Sequence, residues 1–209
     1  MQTKDMTTGS PAGLILRFAL PLMLGNVFQQ FYTFVDTMVV GQALGVKALA
    51  ALGAAEWLTF LMFGLVQGLF PGLSLVMARQ FGAGDDKGLK KAVAGAVWLS
   101  LGAAVLFTAL GQLMLRPVLL LLRTPTEIID LTLIYLRILY ASLPVAFAYN
   151  LLAALLRALG NSKTPLQAMT LSSFCNIALD LLFVFGFGWG IQGAAAATVL
   201  AQLLAACFC

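Results

Sequence analysis

Two carboxylates, an amide and a hydroxyl lie inside stretches of this chain that are otherwise almost wholly apolar. Asn176 and Asp180 are four residues apart in SSFCNIALDLLFVF, a spacing that puts both on one face of a helix. Thr198 follows a glycine-rich turn, GFGWG, and lies about as far past it as Asp180 lies before it. Near the start of the chain, Asn26, Gln29, Thr33 and Asp36 (or Thr37) form a polar stripe at helical spacing. An ionised carboxylate deep in an apolar helix costs at least about 2.5–3.5 kcal/mol on insertion scales, so such acids are rarely kept without a use. Carboxylate, amide and hydroxyl oxygens are ligands that a small hard cation such as Na⁺ prefers, by extension of the rule for hard divalent ions. The same two carboxylates, desolvated and close together, cannot both ionise easily, which would make the pair a proton carrier. Either event changes the charge facing a cavity and can bias which side of a membrane that cavity opens to.

The elements that must position these groups are membrane helices. Of the 209 residues, 61% are hydrophobic and only 10% charged, and the mean hydropathy is +0.98. A water-soluble domain does not have that composition, so the expected fold is all-α and polytopic in a lipid bilayer. Six spans are predicted, over about 13–40, 48–78, 87–115, 125–159, 165–185 and 191–209. Ser10-Pro11, Thr124-Pro125-Thr126-Glu127 and Thr164-Pro165 read as helix starts, and Asp85 or Asp86 as the cap of the third helix. Pro21 is expected to kink the long first helix. Pro117 is expected to end the third, leaving Val118–Leu122 as a short interfacial piece.

Lys and Arg set the expected orientation. With the N-terminus inside, inner segments hold Lys4, Arg17, Arg79, Lys87, Lys90, Lys91, Arg157 and Lys163, against Lys47, Arg116 and Arg123 outside. Helical rise then places Asp36 about 7–8 Å, Asp180 about 9 Å and Thr198 about 10 Å below the outer surface, with Asn176 one turn deeper. The groups therefore share a layer. Depth leaves open whether the first helix neighbours the last two, which the tight turn holds together. The last helix reaches only about 27 Å and ends without a basic anchor, so the chain is expected to be part of a longer protein.

Several functions drop out. The chain has no His, which removes His-dependent triads and HExxH zinc sites. Cys175, Cys207 and Cys209 lie in apolar helix and read as packing residues. The basic residues form no stripe interleaved with aromatics, so nucleic acid is not an expected partner. No basic segment precedes a small-residue cleavage site, so no removable signal peptide is read. An intramembrane aspartyl protease would need a Gly-x-Gly-Asp type motif, and neither Asp36 nor Asp180 has one.

Six motifs occur in order: Leu20-Pro21, VDTMVVG at 35–41, ALAALG at 48–53, ARQFGAGD at 78–85, LRALGNSKTP at 156–165, and NIALD followed by GWGIQGAAAAT up to Thr198. Taken together they resemble the first six-helix lobe of the multidrug and toxic compound extrusion (MATE) family, whose transporters have twelve helices. The resemblance covers the whole chain and implies that a C-terminal lobe is missing. It implies a cation site at Asp36, Asn176, Asp180 and Thr198, a helix kink at Pro21, and export of amphipathic, often cationic compounds in exchange for H⁺ or Na⁺, with no organic cofactor. It further implies a multi-pass protein of the plasma membrane with a cytoplasmic N-terminus. The alternative within the same superfamily is a flippase for lipid or polysaccharide intermediates, which would be expected to carry a strongly basic cavity; here only Arg137 lies mid-span.

Each group also has a plainer use. Asn176 and Asp180 could form a structural interhelical hydrogen bond, and Thr198 could bond its own helix backbone. Gln29, Gln30, Tyr32, Thr33, Glu56, Tyr140 and Asn150 are candidates for a substrate cavity, with helix packing as the competing role. Arg137 is expected to snorkel or to pair with Asp130, seven residues earlier.

Overall fold

A computed structural model describes residues 11–209, with the side chains of residues 11–14, 17, 18, 21, 22 and 32 outside the described set. The elements are α1 (Pro11–Leu44), α2 (Val46–Gly82), α3 (Asp86–Leu121), α4 (Thr126–Ala141), α5 (Leu143–Ala158), α6 (Lys163–Asp180), a π-helical turn (Leu181–Gly186) and α7 (Gly190–Phe208). No strand occurs among the described residues. α2, α3, α6 with its π turn, and α7 are each long and apolar enough to cross a membrane. α4 and α5, bent by 44° at their junction, make one further span. α1, 34 residues long, completes the set.

Proline acts differently at different sites. The predicted helix over 125–159 is broken at Ser142, just before Pro144. That proline has no N–H to donate to the carbonyl one turn back, and it sits in the first turn of α5, where that loss is tolerated. Ser142 closes the break by donating its N–H to the Ile138 and Leu139 carbonyls and its hydroxyl to Leu139 at 2.7 Å. Pro117, expected to end its helix, does not. α3 runs on to Leu121, because the N–H groups of residues 122–124 close its end on the carbonyls of Val118, Leu120 and Leu119. Val118–Leu122 is thus not a separate piece.

Two expected caps are also corrected. Asp85 caps α3 as read, accepting from the Gly88 N–H at 2.9 Å. Thr124, however, makes no cap: Pro125 occupies that position without a side-chain bond. Glu127, its expected partner, pairs instead with Lys47 at 3.5 Å. At α6 the capping side chain is Asn161 rather than a Thr-Pro pair. Its Oδ1 accepts from the N–H groups of Lys163 and Thr164, and its Nδ2 donates to the Thr164 hydroxyl at 2.8 Å.

The helices pack in two groups. α2, α3, α4 and α5 surround an apolar core in which the Phe70 and Phe147 rings meet edge to face at 5.5 Å. α1, α6 and α7 pack on one another and form the second group, with α7 also resting on α4 and α5. Beside core residues such as Phe70, Phe147 and Leu136, many of the inward-facing residues are small, and many large apolar side chains face outward. Ala51 and Ala55 of α2 and Ala194, Ala195, Ala197, Ala201 and Ala205 of α7 are buried, whereas Trp57, Phe60, Trp98 and Leu113 are exposed. That inversion fits a bilayer, where lipid solvates large apolar groups and small residues let helix backbones approach.

Candidate functional site

Asp36 of α1 and Asp180, the last residue of α6, meet where α1, α6 and α7 converge. The first helix does neighbour the last two, which the sequence left open. The two carboxyl groups face each other within hydrogen-bonding reach. Asp180 is 0% exposed, Asn176 1% and Asp36 6%, so water does not screen the pair. Among the described residues the one ion pair is Lys47 with Glu127, so neither buried acid is neutralised by a Lys or Arg.

Asn176 and Thr198 complete the site, and their hydrogen bonds fix its polarity. The Thr198 hydroxyl donates its single proton to the Ala194 carbonyl at 3.2 Å. It can then only accept from Asn176, whose Nδ2 lies 3.5 Å away. That turns Asn176 Oδ1 away from Thr198 and leaves it without a donor. Asp36 Oδ1 and both carboxylate oxygens of Asp180 also lack a donor. Four buried acceptor oxygens therefore gather on two facing helices. Buried acceptors without donors cost about 1–3 kcal/mol each, more when charged, unless something positive satisfies them. A proton shared between the carboxylates, or a small monovalent cation among the oxygens, fits this donor set.

The local backbone explains how the groups come together. α6 stops at Asp180 and continues as a π turn, in which the Phe187 N–H reaches back to the Leu182 carbonyl at 2.9 Å. Such turns concentrate at functional sites. Gly188 and Gly190, with φ of 65° and 62°, then reverse the chain where an L-residue would be strained. The rings of Phe183, Phe187 and Trp189 stack over this reversal, Phe183 to Trp189 at 5.0 Å. Gly193 lets α7 lie directly against the turn: an added Cβ would come within 3.1 Å of Phe183 Cβ and 3.2 Å of its carbonyl carbon and oxygen. Gly193→Val is expected to cost about 1–3 kcal/mol of overpacking and to weaken cation binding, because it pushes Thr198 away from Asn176. A variant with unaltered melting temperature and affinity would contradict that role.

The other sequence candidates divide. Gln29 is half-buried on α1, and its backbone carbonyl accepts from the Thr33 hydroxyl at 3.0 Å. Gln30, Thr33 and Glu56 are exposed. Tyr140 is not a cavity residue: it is buried between α2 and α3, with its hydroxyl donating to the Leu58 carbonyl at 3.1 Å and its ring against Gly111. Asn150 is half-buried and bonds its own helix at Ala146. Arg137 is exposed and forms no ion pair with Asp130; its carbonyl accepts from Gln112. The Pro21 ring and the Tyr32 side chain lie outside the described residues. Sequence reasoning missed the π turn, the close approach at Gly193 and the unpaired oxygen of Gln202. Only the last left a signal, as a polar residue four positions after Thr198.

The chain as a whole is similar to known membrane transporters. The MatE family model matches residues 21–182. The probable multidrug resistance protein YpnP of Bacillus subtilis is 34% identical over 98% of this chain and 46% of its own length. The FAD transporter of Shewanella oneidensis is 28% identical over 98% of the chain and 46% of its length. Among solved structures, a MOP superfamily transporter from Pyrococcus furiosus superposes with a TM-score of 0.90 at 30% identity, covering 96% of this chain and 44% of that one. The chain thus spans less than half the length of these relatives.

Proposed function

Because the chain belongs to the MatE family of membrane transporters, we propose that it is the N-terminal lobe of a two-lobe secondary-active antiporter. In this reading the complete protein exports amphipathic or cationic compounds across the plasma membrane in exchange for H⁺ or Na⁺. The observation that carries it is the buried pair Asp36 and Asp180, with four acceptor oxygens awaiting a positive partner. The half-length match to relatives supports a second lobe. Rocking of two lobes about a central site is how such transporters alternate access.

The chemistry follows from charge. Unloaded, Asp36 and Asp180 repel across a gap that no side chain bridges. Loaded with a proton or Na⁺, the pair is drawn together and α1 closes on α6. The two states differ in how α1 sits against α6 and α7, so loading shifts the balance between them. Thr198 and Asn176 hold the neutral end of the ligand set. The bias of Lys and Arg towards the inner segments, with the N-terminus read as cytoplasmic, orients the site towards the outer face.

The flippase alternative of the same superfamily calls for a strongly basic cavity, and Arg137, which is exposed, is the single basic residue read as mid-span. A polyanionic head group would need several such charges, so we favour drug–cation exchange. The test is reconstitution of the two-lobe protein in vesicles loaded with a cationic dye. Dye movement should follow an imposed Na⁺ or pH gradient. Movement indifferent to both gradients would defeat the antiport reading, and translocation of a pyrophosphate-linked lipid in their place would favour the alternative.

A further inference from the structure

We propose a second, weaker station for the coupling cation, two helical turns from the acid pair, formed by Gln29, Ser173 and Gln202. The proposal rests on the reading of the acid pair as a cation site. Its starting point is Gln202 Oε1, a buried side-chain oxygen without a donor. Gln202 is four residues past Thr198 and so lies on the same face of α7.

Packing registers show what stands beside it. α6 and α7 run antiparallel, with Asn176 bonded to Thr198 and Phe183 against Gly193. That register sets Gln202 level with Ser172 and Ser173. α1 and α6 pair Gly25 with Met169 and Asp36 with Asp180 at one constant residue offset. Gln29 therefore stands level with Ser173, about 10 Å along the helices from the acids.

The groups at this level are suited to a passing cation. Ser173 is buried, and its hydroxyl proton is donated to the Met169 carbonyl at 2.8 Å, so its oxygen is free only to accept. The Ser172 hydroxyl goes to the same carbonyl at 3.0 Å. Two side-chain amides and a hydroxyl replace part of a hydration shell without a fixed charge. Such neutral ligands bind firmly enough to admit an ion and weakly enough to release it. One turn further, Met169 and Leu166 of α6 close on Gly25, at 3.2 and 3.6 Å from the position of an added Cβ.

The test uses the two-lobe protein in vesicles, with radioactive Na⁺ and, separately, a pH-sensitive dye. Gln202→Leu should leave equilibrium cation affinity within about twofold of the parent and slow cation exchange about tenfold or more. Ser173→Ala should slow it less, by about threefold. Unchanged affinity also certifies that the variant is folded. Exchange at the parent rate in Gln202→Leu overturns the station. So does a proportional loss of affinity and exchange, which would make Gln202 a support of the acid pair. Asp180→Asn is the control for the underlying reading: if it binds and exchanges like the parent, that reading falls whatever Gln202 does.

Discussion

Asp180→Asn, and separately Asp36→Asn, should abolish cation-driven export while the protein still inserts and folds. A unit charge about 4 Å from a cation is worth about 4 kcal/mol at an effective dielectric constant of 20, so cation affinity should drop about 100-fold or more. The carboxylates are buried and have no other counter-charge, so nothing in the described structure replaces the lost one. Stability should move the other way. Asparagine keeps the shape, supplies a donor to acceptors that lack one, and removes one of two facing like charges. The melting temperature of either variant should therefore equal or exceed the parent's, a pattern in which function is kept at the expense of stability. Normal export in both variants would remove the proposed site. Lost export with a collapsed melting temperature would make the acids structural.

Gly111→Ala should produce the opposite pattern, a large loss of stability with cation affinity intact. An added Cβ would fall on the Tyr140 ring, at 2.5 Å from Cε1 and 3.2 Å from Cγ. The ring cannot swing aside freely, because its hydroxyl is fixed to the Leu58 carbonyl at 3.1 Å and the residue is buried. Overpacking of about 1–3 kcal/mol and loss of a hydrogen bond worth about 1 kcal/mol give an expected destabilisation of about 2–4 kcal/mol. Thermal unfolding in detergent measures it. Combining Gly111→Ala with Tyr140→Leu should cost much less than the separate effects added together, because the second change removes the clash. Strict additivity would show that the Gly111–Tyr140 contact is not what the alanine disturbs.

Much of this was legible in the sequence because membranes penalise polar groups. Asp36, Asn176 and Asp180 stood out against apolar neighbours, and GFGWG fixed the closeness of the last two helices. What remained hidden was set by partners far along the chain. Nothing near Asp36 says that α1 packs on α6: its polar stripe marks a face without naming the helix that meets it, and close approach is set by small residues such as Gly25, against Met169 and Leu166. Tyr140 looked like a cavity residue because its glycine partner lies 29 positions earlier, on another helix. The π turn has no residue signature of its own; it follows from fitting Phe183 against Gly193. Pro144 breaks its helix and Pro117 does not. Pro71 likewise lies inside the unbroken α2, so position along the helix alone does not decide the outcome.

The paired-acid claim is tested most directly by counting cations bound per protein at equilibrium in the parent, in Asp36→Asn, in Asp180→Asn and in the double variant. Two carboxyls sharing one ion should lose it on either single substitution, and the double variant should look no worse than each single. If each substitution instead removes part of the binding and the losses add, the acids act separately and no common site joins α1 to α6.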